Sequence, residues 1–103
     1  MLSPSLFTPQ AWQDAIEIAA YIGTDNPEAV SRFVPALEAM CAQLVAWPGM
    51  GSARTFQRKD LQGVRIVPVT GFEHYLIFYT AVRKNVKVLR VLHAARAFPT
   101  IFE

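Results

Sequence analysis

The chain is short of most of the residues that build crosslinked, metal-bound or membrane-spanning proteins. It has one cysteine, Cys41, so no internal disulfide can form. Two histidines beside that cysteine are too few to suggest zinc. No metal and no cofactor is expected. No apolar run reaches the ~18 residues of a membrane-spanning helix, and the N-terminus lacks the basic and apolar layout of a signal peptide. These absences point to a soluble, cytoplasmic protein with no membrane partner. Basic residues are scarce in one half only: residues 1–50 carry Arg32 against five acids, and residues 51–103 carry nine basic residues against three acids. Two readings of that asymmetry stand. The second half faces something acidic, or its strand edges carry Lys and Arg against aggregation.

What is present is apolar. Hydrophobic residues make up 52% of the chain and charged ones 17%, which excludes disorder. At 103 residues the whole chain, 1–103, makes one domain with one modest core. Cys41 lies in a helical pattern between Met40 and Ala42. A buried, inert thiol is the simpler reading than a reactive one.

The stretch LSPSLF reads as a short first strand. Thr8 is placed to cap a helix, with Pro9 at its first position, where a missing N–H costs nothing. Trp12, Ala15, Ile16, Ala19 and Ile22 recur at helical spacing, and Gly23 suits the helix end. Asn26 and Pro27 repeat the cap-and-proline signal, and Glu28 favours the positive end of the helix that follows. Val30, Phe33, Val34, Leu37, Met40, Cys41 and Leu44 form its stripe. Pro35 falls inside and should kink it between Ser31 and Pro35. The helix should stop at WPGMG, with Trp47 packing under the helical hairpin.

The polar stretch SARTFQRKDLQG reads as a loop. The runs VRIVPV, HYLIFYTAV and VKVLRVLHA follow, joined by short connectors, and should pair as an antiparallel meander. The order is strand, two helices, three strands, an α+β arrangement. By alternation, Tyr75, Ile77 and Tyr79 face one way and Leu76 and Phe78 the other, while Val86, Val88 and Leu92 oppose Leu89 and Val91. Both faces are apolar. Two sequential helices cover one face, which leaves the second bare for a partner or for a folded-over segment such as the C-terminal FPTIFE.

Several stretches, in order, carry a resemblance: AWQDAIEIAAYI, NPEAVSRFVPALEAMCAQLVAWPGMG, then Arg54, LQGVRIVPV, HYLIFY and VKVLRVLHAARAF. With these the chain resembles the toxins of the ParE/RelE superfamily of type II toxin–antitoxin systems, and the ParE branch most closely. The resemblance implies an α+β fold in which an N-terminal strand and an antiparallel two-helix hairpin, the second helix kinked at Pro35, pack on a small antiparallel sheet. It also implies a cognate antitoxin, ParD-like or similar, that wraps the toxin in a hetero-oligomer. Tyr75, Ile77, Tyr79 and Val88 are the candidates for antitoxin contact, with core packing as the other reading of the tyrosines. ParE-like chains commonly follow the arginine matched by Arg96 with an aspartate. Here residue 97 is alanine, so an acid that would orient Arg96 is missing.

Three readings of the chemistry follow. As a ParE-like toxin the protein inhibits DNA gyrase by binding and is not an enzyme. Its target contacts would be Arg54, Arg58, Arg65, Arg96 and Phe98, and Lys59 and Arg83 add positive charge toward an acidic or DNA-bearing surface. As a RelE-like toxin it would be a metal-independent, ribosome-dependent mRNA endonuclease. That chemistry needs a proton-transfer group and phosphate clamps, for which His93, Arg65 and Arg96 are the candidates. Arg90 would be a further clamp, but strand alternation sets it on the opposite face from His93. The third reading is structural: His93 caps the end of the last strand, and Arg96 pairs with Glu103 or a carbonyl. Direct nucleic-acid binding stays open.

Overall fold

The computed structural model describes residues 6–53 and 62–96. Helices α1 (Pro9–Asp25) and α2 (Pro27–Ala46) come first, followed by strands β1 (Ser52–Ala53), β2 (Arg65–Val69), β3 (Phe72–Val82) and β4 (Asn85–His93). The strands form one antiparallel sheet in chain order, β1 to β4. This is the expected α+β arrangement, with a two-residue strand added where a loop was expected. The N-terminal strand is reduced among the described residues to a single bridge, Phe7 running parallel to Val88, and residues 1–5 lie outside them.

Both helices start as their sequences dictate. The Thr8 hydroxyl accepts from the Ala11 N–H at 3.1 Å, and the Asn26 side chain accepts from the Ala29 N–H at 3.3 Å. Helix α1 continues through Gly23 to Asp25, so Asn26 ends one helix and begins the next. Helix α2 is unbroken through Pro35. The proline lies on the exposed side, where water can solvate the carbonyl that loses its donor one turn back.

The core forms between the helices and one sheet face. Phe33, Leu37, Met40, Cys41 and Leu44 of α2 pack with Ala11 and Ala15 of α1 onto Val67, Val69, Ile77, Tyr79, Val88 and Val91. Each fully buried large apolar side chain stabilises by about 1.5–3 kcal/mol. The α1 stripe is rotated from the expected one. Ala11, Asp14 and Ala15 are its buried residues, and Ile16 is 51% exposed. Trp47 is 72% exposed rather than packed under the hairpin, because α2 ends before the chain turns back to the sheet.

Two expectations about the sheet faces need correction. The pairing shifts between Phe78 and Tyr79: Phe78 sits opposite Arg90 and Tyr79 opposite Val88, which leaves Leu89 as the extra residue. Such a bulge reverses the alternation beyond it. Val88 and Val91 therefore share the helix-side face, while Leu92 packs with Phe78 on the other. Nor is the second face bare. Val64, Phe78 and Leu92 are buried there, with Ile66, Leu76 and Leu89 partly so. Among the described residues, the exposed large apolar side chains are Ile16, Tyr21, Val45, Trp47 and Met50, on the helices and the turn after them, and Val82 at the end of β3.

The turn after α2 is clamped by Tyr79. Its hydroxyl donates to the Pro48 carbonyl and accepts from the Gly51 N–H, both at 2.8 Å. A Cβ on Gly51 would stand 2.5 Å from that oxygen and 3.0 Å from the Ile66 carbonyl oxygen, so only glycine fits. Gly51→Ala is expected to destabilise the domain by about 1–3 kcal/mol through overpacking. Tyr79→Phe, which leaves a buried N–H and carbonyl unpaired, should cost a similar ~1–3 kcal/mol. In a double-mutant cycle followed by urea denaturation, Gly51→Ala should cost less once the hydroxyl is gone. Additive losses would show that the phenol is not what excludes a side chain.

Candidate functional site

Strand β4 is an edge of the sheet, and its open backbone groups must find partners elsewhere. The start of α1 supplies them. The Thr8 N–H donates to the Val88 carbonyl at 2.9 Å, and the Thr8 hydroxyl donates to the Leu89 carbonyl at 2.9 Å. Two helical turns on, the Asp14 carboxylate accepts from the Val91 N–H at 3.1 Å. It also takes Arg90 in a bidentate pair, Nε at 2.6 Å and Nη2 at 3.0 Å, and accepts from the Gln10 amide at 3.3 Å. Asp14 is 5% exposed, and four donors offset the cost of burying its charge.

Beyond this pair α1 and the end of β4 diverge into a cleft of about 600 Å³. Glu17, Ile18 and Tyr21 form one wall, Tyr75, His93 and Arg96 the other, and Asp14 and Arg90 lie within it. The His93 ring meets Tyr75 edge-on at 5.3 Å and stacks on His74 at 5.7 Å. Its Nδ1 accepts from the Ala95 N–H at 3.1 Å, which leaves Nε2 to carry the proton of the neutral ring. His93 thus caps the helical turn at residues 94–96 that carries Arg96. Burial pushes the Tyr75 phenol above its ordinary pKa, with Tyr21 adding to the shift, so it sits there as a neutral donor.

The cleft gathers only part of the site expected from sequence. His93 and Arg96 come together in it. Arg65 does not: its Nη1 donates to the carbonyls of Gly51 at 2.7 Å and Gly49 at 3.3 Å, and it pairs across from Tyr79, whereas His93 pairs with Tyr75. Those registers put the two roughly 13 Å apart along the sheet. Arg90 does share the cleft with His93, against the alternation argument, because an edge-strand arginine can bend over the sheet margin to reach α1. Of the antitoxin candidates, Ile77, Tyr79 and Val88 are wholly buried under the chain's own helices. Tyr75 alone is half-buried and borders the cleft. Arg54, Arg58, Ala97 and Phe98 lie outside the described residues, as does FPTIFE.

Sequence reasoning passed over Asp14, Glu17 and Tyr21. A signal existed for Asp14: it falls between Ala11, Ala15 and Ile18 on the buried stripe, where a carboxylate needs a buried cation. The thiol of Cys41, 4% exposed, is pushed up to about 12 by burial and by the neighbouring Glu38 charge, and takes no part in the cleft.

Two helices laid on an antiparallel meander, with an arginine-bearing cleft at the edge strand, define a small α+β domain. The family model for the ParE toxin of the type II toxin–antitoxin system parDE matches residues 6–98. The chain belongs to this ParE toxin family, and its partner in such a system is an antitoxin. No curated protein matches the sequence significantly.

Two outcomes follow from this geometry. Asp14→Ala should lose about 3–5 kcal/mol, since it strands a partly buried guanidinium and frees the Val91 N–H. Asp14→Asn, which keeps an acceptor for that N–H, should lose less. Equal losses for the two variants in denaturant titrations would remove the backbone contact from the account. Cys41 should resist iodoacetamide near neutral pH in the folded protein and react once urea unfolds it. Rapid labelling of the native chain would contradict its burial.

Proposed function

We propose that this toxin acts in the cytoplasm by binding DNA gyrase, without performing chemistry on a substrate, and that a ParD-like antitoxin neutralises it. The observation that carries this reading is the dispersal of the groups a nuclease would need. Arg65 holds the turn after α2, Arg90 is neutralised by Asp14, and His93 has one ring nitrogen committed to the backbone. Phosphoryl transfer calls for an acid, a base and cations converging within hydrogen-bond reach of one phosphate. Of the nuclease candidates Arg65, His93 and Arg96, the cleft holds His93 and Arg96, while Arg65 is bound to the turn after α2. A binding toxin needs no such convergence.

In this reading Arg96, carried on the turn that His93 caps, is a target contact, with Arg54, Arg58 and Phe98 as the other candidates. The antitoxin covers exposed apolar side chains of the helical hairpin, Ile16 and Tyr21 among them, together with Tyr75 at the cleft.

The test compares gyrase supercoiling with ribosome-dependent mRNA cleavage on the purified protein. Loss of supercoiling with intact mRNA is the expected result, and mRNA cleavage with normal supercoiling would overturn the proposal. Arg96→Ala should weaken gyrase inhibition by about tenfold, equivalent to ~1.4 kcal/mol, without unfolding the domain. Full potency in that variant would take Arg96 out of the contact surface.

A further inference from the structure

The connection between β3 and β4 is a two-residue loop, Arg83–Lys84, closed by the Val82–Asn85 pair. Both loop residues have positive φ, 53° at Arg83 and 67° at Lys84. Left-handed backbone at both central positions is the conformation that best matches strand twist, and Asn-Gly is the pair that adopts it most easily. A residue with a Cβ meets the following carbonyl oxygen there. The local sequence therefore opposes the local conformation at two consecutive positions. What Arg-Lys supplies that Asn-Gly would not is a pair of positive charges at the tip of a protruding ribbon.

Those charges sit at one pole of the molecule. Residues 82–85 are all exposed, and no hydrogen bond or ion pair ties Arg83 or Lys84 to a described residue. Between Val64 and Arg96 the one acidic residue is Glu73, nine positions before Val82 on β3 and so roughly 30 Å from the tip. Helix α1 starts beside Val88 and passes Val91 at Asp14, so it runs away from the tip and carries Glu17 and Asp25 toward the opposite pole. Glu28, at the start of α2, lies at that pole as well.

We propose that the tip of the β3–β4 hairpin is a phosphate-contacting probe for duplex DNA, with Arg83 and Lys84 as its two cations. A two-stranded ribbon fits the major groove, whose walls are lined with phosphates, and sequence-independent contact needs only projecting cations. A specific protein partner is held by anchors in a well-packed, desolvated setting, and the exposed tip has only Val82 as an apolar residue to build one. The inference stands apart from the gyrase reading, because DNA binding and gyrase inhibition are scored separately.

The test uses the full chain and a fluorescent duplex of about two helical turns, with anisotropy read from roughly 50 to 200 mM salt. The native chain should bind at low salt. Arg83→Asn/Lys84→Gly should raise the melting temperature by relieving the turn, weaken binding, and flatten the slope of log K against log salt by about 1.8, the contribution of two phosphate contacts. Arg83→Gln/Lys84→Gln, which discharges the tip but keeps the strained turn, should show the same loss of binding without the thermal gain. Arg32→Gln, a cation paired with Glu28 near the far pole, should bind like the native chain. Absence of native binding at low salt overturns the proposal, as does a native slope in the Gln/Gln variant. Binding lost in the Asn/Gly variant alone would make the effect one of shape rather than charge, and would overturn it too.

Discussion

The fold depends on how an edge strand is satisfied. Among the described residues, strand β4 has one neighbouring strand and a single bridge to Phe7, and its other outer backbone groups would face solvent or invite another chain. Thr8 and Asp14, two turns apart on α1, take up carbonyls and an N–H of β4. Asp14 then neutralises Arg90 from the same strand. A single carboxylate thereby fixes the position of α1, completes the strand edge and removes a cation from the surface. The cleft exists because this contact holds α1 against the middle of β4 and lets the two separate past Val91.

The second constraint is the β-bulge opposite Phe78 and Tyr79. Without it, Val88 and Val91 could not both face the helices. With it, Val88 and Val91 close the main core while Leu89 and Leu92 turn to the second face. The consequence for function is direct. Residues that look like a partner surface in a regular strand (Ile77, Tyr79 and Val88) are interior, and Tyr79 uses its hydroxyl to hold the turn after α2. In this structure none of the three presents a surface.

Basic and acidic residues are separated along the chain, and the topology carries only part of that separation into space. Helix α1 runs the same way as β4, so Glu17, Asp25 and Glu28 lie toward the end where β4 finishes. The hairpin tip with Arg83 and Lys84 lies at the other end. Arg65 and Arg90, which count as basic residues in the composition, are committed to internal acceptors. Total charge is therefore a poor guide to which cations a partner meets.

Much of the architecture was legible in local pattern. Helix starts were readable from Thr8-Pro9 and Asn26-Pro27, because capping is settled by neighbours within one turn. The three long strands were readable from their apolar runs and short connectors, and family membership from ordered fragments spread over most of the chain. The bulge was not readable, since it depends on how two strands settle against a core neither can specify alone. Nor was the partnership of Asp14 with Arg90, separated by 76 positions, or the burial of the second face. Those features were decided in the tertiary structure, where a charge's partner and a side chain's exposure are set by which segments the fold brings together.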